Sequence, residues 1–289
     1  MSRRITDSQR GAALLRVVTG VCLVSVVMAL VWVPALAWLF TIFLTILVGA
    51  GVLEVYGLAT ALGMHPQRRI GVVLGAAAAP VACCFGVREV AWIITLAYIA
   101  LSVLLVAAAG MRSKGGDLPT LRDISVTLFG MLYVGWLGAH FGALHDHGSR
   151  GPGLLTFLIG AVALSDTGAY VVGSMVGKHK LAPRISPNKT WEGAVGAVFF
   201  AMLTGAFIHF VGGAYFPAWP LWLYLATAAG LSVAGQLGDL TESRLKREAG
   251  VKDSGTIFPG HGGVLDRCDG YLFAAPVLYY LVEYVPLYS

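Results

Sequence analysis

Apolar runs of about twenty residues recur from one end of this chain to the other, and no other feature restricts its fold so severely. Crossing a hydrocarbon core about 30 Å thick takes about 20 helical residues. Within that core every backbone N–H and C=O must be satisfied internally, which leaves only helices and closed barrels. Barrel strands alternate apolar and polar over about ten residues, whereas a segment such as "LAYIALSVLLVAAAG" is apolar on every side. The expected fold is therefore all-α, a polytopic integral membrane protein. Composition agrees: 12% of the residues are charged, against about 25% in soluble domains, and mean hydropathy is +0.77. The apolar pattern predicts nine spans, near 12–33, 35–62, 70–87, 90–111, 124–145, 153–177, 191–214, 220–241 and 263–287. No polar stretch is long enough to fold separately, so residues 1–289 are expected to form a single membrane domain.

The first segment also imitates a secretory leader. A basic start, an apolar run and the small residues up to Ala37 resemble a cleavage site. The apolar run exceeds a usual leader core and more apolar sequence follows at once, which favours a retained first helix.

The basic residues orient the bundle, because Lys and Arg accumulate in cytoplasmic loops. With a cytosolic N-terminus and nine crossings, eighteen of the 20 Lys and Arg fall on or near the inside. Only Arg88 and Arg150 fall outside, and the C-terminus lies outside. A missed or invented span before the last loop would invert the later loops. The net charge of +5 is thus a topological signal, and nothing in it calls for nucleic acid. Cys22, Cys83, Cys84 and Cys268 have no metal-ligand spacing and read as small apolar packing residues.

Acidic residues inside spans are costly and usually face a cavity or a partner. Glu54 lies about two turns from an inside end, either as an acceptor between helices or as a lining residue. Asp166, in "ALSDTGAY", sits about three turns above a basic loop; Gly173 and Gly177 beside it suit close helix contact. Asp239, Glu242 and Lys246 share one helical face. In "FPGHGGVLDRCDGYLF" the glycines and proline break any helix before a new one begins. Asp266 and Asp269, three residues apart, then project from one face near its start, with Arg267 about 100° around the axis.

Two carboxylates so close repel unless a cation stands near them. Mg²⁺ characteristically takes one or two carboxylates and completes its shell with water and substrate phosphates. Lys246, Arg247, Lys252, His261 and Arg267 supply positive charge for such phosphates, and Gly262 and Gly263 allow backbone N–H groups to approach an anion. The combination predicts a metal and polyphosphate site at the cytosolic membrane surface. In the loop "KHKLAPRISPNKTWEG", Thr190 reads as a helix cap with Glu192 in the first turn. Lys189 there is either a phosphate contact or an ordinary positive-inside anchor.

The spacing S-x-L-K-R-x₄-K-D-x-G-x₂-F-P-x-H-G-G-V-x-D-R-x-D, from Ser243 to Asp269, resembles the signature of the phosphatidate cytidylyltransferases, or CDP-diacylglycerol synthases. "SDTGAY" and "ISPNKTWEG" extend the likeness over roughly the C-terminal 130 residues. The position of Cys268 departs from the larger apolar residue or Thr that is usual there. The resemblance implies transfer of the cytidylyl group of CTP to phosphatidate, giving CDP-diacylglycerol and pyrophosphate. It implies a Mg²⁺-dependent homodimer, with a second cation, Mg²⁺ or K⁺, in a bacterial plasma membrane and a cytosol-facing site. Residues 1–122 would be N-terminal helices, and 123–289 catalytic helices with cytosolic loops 178–190 and 242–263. Asp239, Asp266 and Asp269 would hold metal. These three with Lys246, Arg247, Lys252, His261 and Arg267 would form the catalytic set. Asp166, Lys189, Ser243, Asp253, Gly262 and Gly263 would bind substrate. Two other readings stay open at this point. A CTP-dependent polyprenol or phytol kinase would release CDP, and a transporter would need acids in opposing halves and preferably internal repeats.

Overall fold

A computed structural model describes residues 24–92, 95, 99, 120–257 and 262–285. Helix α1 covers residues 24–32 and meets a single 3₁₀ turn, Pro34–Leu36. Helices α2 (Ala37–Ala61) and α3 (Arg68–Phe85) follow, and residues 87–92 begin α4. Helix α5 (Leu121–Gly130) runs through a π-helical turn, Met131–Trp136, into α6 (Leu137–His145). Four longer helices complete the chain: α7 (Gly151–Val176), α8 (Trp191–Val211), α9 (Leu221–Glu248) and α10 (Leu265–Tyr284).

Six described segments are long and apolar enough to cross a membrane: Pro34–Ala61, Arg68–Phe85, Leu121–His145, Gly148–Val176, Trp191–Val211 and Leu221–Glu248. They correspond to the second, third and fifth to eighth expected spans. The ninth expected span falls on α10, whose 20 residues open on Asp266, Arg267 and Asp269 and which is not among these six. Most of the first and fourth expected spans, with Cys22 and the loop bearing Arg112 and Lys114, lie outside the described residues.

Two differences from the sequence reading bear on the site. The helix expected to end near 241 continues to Glu248, so the loop expected over 242–263 begins only after it. The i, i+4 pair of Glu242 with Lys246 supports that extra length, and Gly250, at φ +70°, turns the chain away just beyond. The loop 178–190 is also not free of regular structure. Strand β1 (Lys180–Ala182) pairs antiparallel with β2 (Ser186–Thr190), the one departure from an all-helical fold among the described residues.

Small residues set the helix spacing, as lipid tails offer helices no hydrophobic reason to associate and close packing must supply the attraction. Helices α7 and α8 are the most extensively packed pair. Gly173 faces Gly193 and the Thr190 hydroxyl there, as its small-residue pattern predicts. A side chain at Gly238 of α9 would strike the main-chain carbonyl of Asp269, so this glycine draws α9 and α10 together where the acidic residues lie. Helix α10 touches α2, α6, α7 and α9 and joins the earlier helices to the later ones.

Candidate active site

The start of α10 is held from across the chain. Glu54 of α2 is buried, and its carboxylate accepts from the backbone N–H groups of Val264 and Leu265, each at 2.8 Å, and from the Ser254 hydroxyl at 2.8 Å. A helix start carries unpaired N–H groups and partial positive charge, and Glu54 satisfies both. Of the two readings open for this residue, the geometry supports the acceptor between elements. Side chains at Gly255 or Gly263 would collide with its carboxylate, which gives these glycines a steric reason.

Asp266 organises the second layer. Its Oδ2 accepts from Gly263 N at 2.8 Å and Ser254 N at 2.9 Å and competes with Glu54 for the single Ser254 hydroxyl proton, 3.0 Å from Oγ, while Oδ1 accepts from Lys246 Nζ at 2.5 Å. Gly262 stands at φ +81°, where a side chain would be strained and would also meet Asp266. Lys246 simultaneously pairs with Glu242 Oε2 at 2.5 Å. Glu242 is 1% exposed, and its Oε1 has no partner among the described residues. One ammonium thus compensates two carboxylates in a largely desolvated place, where a lone charge would be expensive.

A second ion pair borders the first. Lys189 Nζ, on β2, stands 2.6 Å from Asp239 Oδ2, too poorly aligned to count as a hydrogen bond. Ser243 Oγ donates to Asp239 Oδ1 at 3.2 Å. Asp269 accepts from Gly270 N at 2.8 Å and feels the charges of Asp239, Lys246 and Asp166. Asp166 is exposed on α7 and interacts with Asp239 and Lys189. Thr190 caps α8 by accepting from Gly193 N at 3.1 Å. Glu192 accepts from His179 Nδ1 at 2.6 Å and from the N–H groups of Lys178 and His179, fastening the hairpin to α8.

Of the residues expected at the site, the structure places Asp166, Lys189, Asp239, Ser243, Lys246, Asp266 and Asp269 near one another. It adds Glu54, Glu242 and Ser254. Arg247, Lys252, Asp253 and Arg267 are exposed around this end, and Arg247 Nε donates to Ile185 O at 3.4 Å. His261 lies outside the described residues. The amide of Gly263 is directed at Asp266, and those of Val264 and Leu265 at Glu54, so the expected anion cradle is taken by the chain's own carboxylates.

As metal donors the three expected aspartates are unequal. Asp266 is held by Lys246 and by the donors of Ser254 and Gly263, whereas among the described residues Asp239 meets only Lys189 and Ser243, Asp269 accepts only from Gly270 N, and the charge of Asp239 bears on Asp269. Among the described residues no three of His, Cys, Asp and Glu are placed to hold an ion alone. A cation that takes two carboxylates and fills its remaining positions with water and phosphate oxygens fits this donor set.

Beside the first turns of α10 lies a cavity of about 280 Å³. Phe40, Leu47, Val134, Ile159 and Leu272 are among the apolar side chains that line it, and Arg267 is its charged lining residue.

Helices suited to a bilayer, with a mixed carboxylate and ammonium site where α2, α9 and α10 meet the β-hairpin, define a polytopic integral membrane protein with a buried polar centre. A sequence profile described as "Cytidylyltransferase family" matches residues 14–285, and the chain belongs to that family. It is 44% identical over 151 residues to a phosphatidate cytidylyltransferase of Staphylococcus aureus (strain COL). Proteins of the same name from Staphylococcus saprophyticus and Staphylococcus epidermidis are 44% identical over 154 residues and 43% identical over 150. In each case the alignment covers 52% of this chain and 56% of the relative, so the chain spans about half the length of the curated relatives it matches.

Proposed function

We propose that this protein is a phosphatidate cytidylyltransferase, joining CTP and phosphatidate to give CDP-diacylglycerol and pyrophosphate. The observation that carries the reading is the convergence of Asp239, Asp266 and Asp269 with Lys189 and Lys246 at the start of α10. Family membership and the names of the relatives support the nucleotide and the lipid.

In the proposed reaction a phosphate oxygen of phosphatidate attacks the α-phosphorus of CTP. A new P–O bond forms there, the bond from that phosphorus to the β-phosphate bridging oxygen breaks, and pyrophosphate leaves with the electron pair. The attacking oxygen is already anionic near neutral pH, so no strong general base is needed. The chain's residues then act by orientation and charge stabilisation. Arg247, Lys252 and Arg267 receive the triphosphate and the departing pyrophosphate, joined by His261. Lys246, fixed between Glu242 and Asp266, lends rigidity to the charged end of α9. Lys189 meets the lipid phosphate, exchanging Asp239 for it, while the apolar cavity beside Arg267 takes up an acyl chain. Asp239 and Asp269 are the residues that would hold Mg²⁺, and Asp266 orders Lys246 and the loop ahead of α10. Asp166, interacting with Asp239 and Lys189, would support a second cation, Mg²⁺ or K⁺. Bound there, Mg²⁺ would neutralise phosphate charge and make the α-phosphorus more electrophilic.

The remaining expectations belong to the same reading: nine spans, a cytosolic N-terminus, a cytosol-facing site, a homodimer and a bacterial plasma membrane. Incubating the purified protein with labelled CTP, phosphatidate and Mg²⁺ tests the central proposal. A lipid-extractable cytidine product with release of pyrophosphate is expected, and EDTA should abolish it. Release of CDP with a phosphorylated alcohol would point to a lipid kinase, and no cytidine transfer would overturn the assignment.

A further inference from the structure

The π-helical turn between α5 and α6 holds a polar atom that the proposed reaction leaves without a task. Tyr133, Trp136 and His140 each bury a polar side-chain atom with no partner among the described residues. For His140 and Trp136 the surroundings explain the placement. The His140 ring is boxed by Trp136, Tyr279 and Tyr280, and its Nδ1 lies 2.9 Å from Trp136 O. Both belong to an aromatic core.

Tyr133 differs. Its ring stacks on Phe129 at 5.1 Å and meets Phe273 edge-on at 6.1 Å, leaving the residue 5% exposed. Phe273 is one helical turn beyond Asp269 on α10, so the tyrosine lies along the side of α10 that leads to this carboxylate. Burial dominates the surroundings of its hydroxyl, and the carboxylates of Asp269, Glu242 and Asp239 are the charges that also bear on it. Glu242 Oε1, in the same group, is also buried and unpartnered. Leaving a buried hydroxyl unpaired is unfavourable, and phenylalanine would fill this aromatic seat without that cost. The turn that carries Tyr133 is π-helical, a geometry found often at functional sites.

We propose that Tyr133 is a positioning residue of the site, its hydroxyl donating a hydrogen bond to Asp269 when nucleotide phosphates and cation are bound. This rests on the function proposed above. Hydrogen bonds of this kind are often long in an unliganded protein and tighten in the complex. By fixing one carboxylate that faces Asp239, the hydroxyl sets the geometry of the pair without touching substrate.

The test compares wild type, Tyr133→Phe and the control Thr204→Val, in which an equally unpartnered buried hydroxyl beside Gly160 is removed from α8. Thermal midpoint, Mn²⁺ binding followed by electron paramagnetic resonance in the presence of CTP, and kcat and KM for CTP are measured on each. Tyr133→Phe should keep or raise the midpoint, weaken Mn²⁺ binding and lower kcat/KM by ten- to a hundred-fold, on the order of a hydrogen bond to a charged group. Thr204→Val should match wild type. Metal binding and turnover within twofold of wild type in Tyr133→Phe would overturn the proposal. So would an activity loss that tracks a lowered midpoint while Mn²⁺ binding is unchanged. A wild type that makes no lipid-linked cytidine product would instead sink the underlying function.

Discussion

At the scale of single residues, Lys246 is the most exposed to perturbation, since it stands between Glu242 and Asp266 with only 14% of its side chain accessible. Replacing it by Met leaves two neighbouring carboxylates without their cation. Breaking a buried pair in this way costs about 3–5 kcal/mol. Lys246→Met should therefore show a clearly lowered thermal midpoint in detergent, and an unchanged midpoint would mean that the triad is solvated. Much of this triad was legible in the sequence, because Lys246 and Asp266 fall inside one dense stretch with unusual spacing. Glu242 was visible as a face partner of Lys246, yet nothing local announced that it would be buried. Ser254 and Tyr133 gave no signal, since a serine in a loop and a tyrosine in an apolar helix are ordinary until their neighbours are known.

Among the elements, α10 depends on α2 for its beginning. Three donors converge on Glu54, two of them N–H groups of the first turn of α10. Glu54→Gln removes the charge and turns an amide N–H toward donors. It should lower the stability by about 2 kcal/mol, the range of charge-assisted bonds to a helix start. Limited trypsin digestion offers a second reading, with faster cleavage expected after Lys252 in the loop that Ser254 ties down. Equal cleavage in both proteins would count against the capping role. The helices themselves were readable from apolar length alone. Their ends were less so: α9 runs past its apolar stretch because i, i+4 pairs extend it, and the β-hairpin arises from a loop whose prolines and charges hide a short pairing. The π turn leaves no mark in a pattern that is apolar on all sides.

For the whole molecule, the proposed orientation makes opposite ends of the bundle chemically distinguishable. In a background with Cys22, Cys83, Cys84 and Cys268 replaced, Lys252→Cys should resist a membrane-impermeant maleimide in intact cells and react after lysis. Arg150→Cys should react in intact cells. The reverse pattern would invert the bundle and place the charged site outside. The clasp between Glu54 and α10 also has a consequence for biosynthesis. A ribosome delivers α2 early, and the backbone amides that meet its carboxylate arrive 210 and 211 residues later. Until then the nascent chain carries an acidic side chain in a place built to be dry. Only the arrival of the last helix removes that penalty, so a chain interrupted before it holds an unmet demand that membrane surveillance proteases have a physical basis to detect.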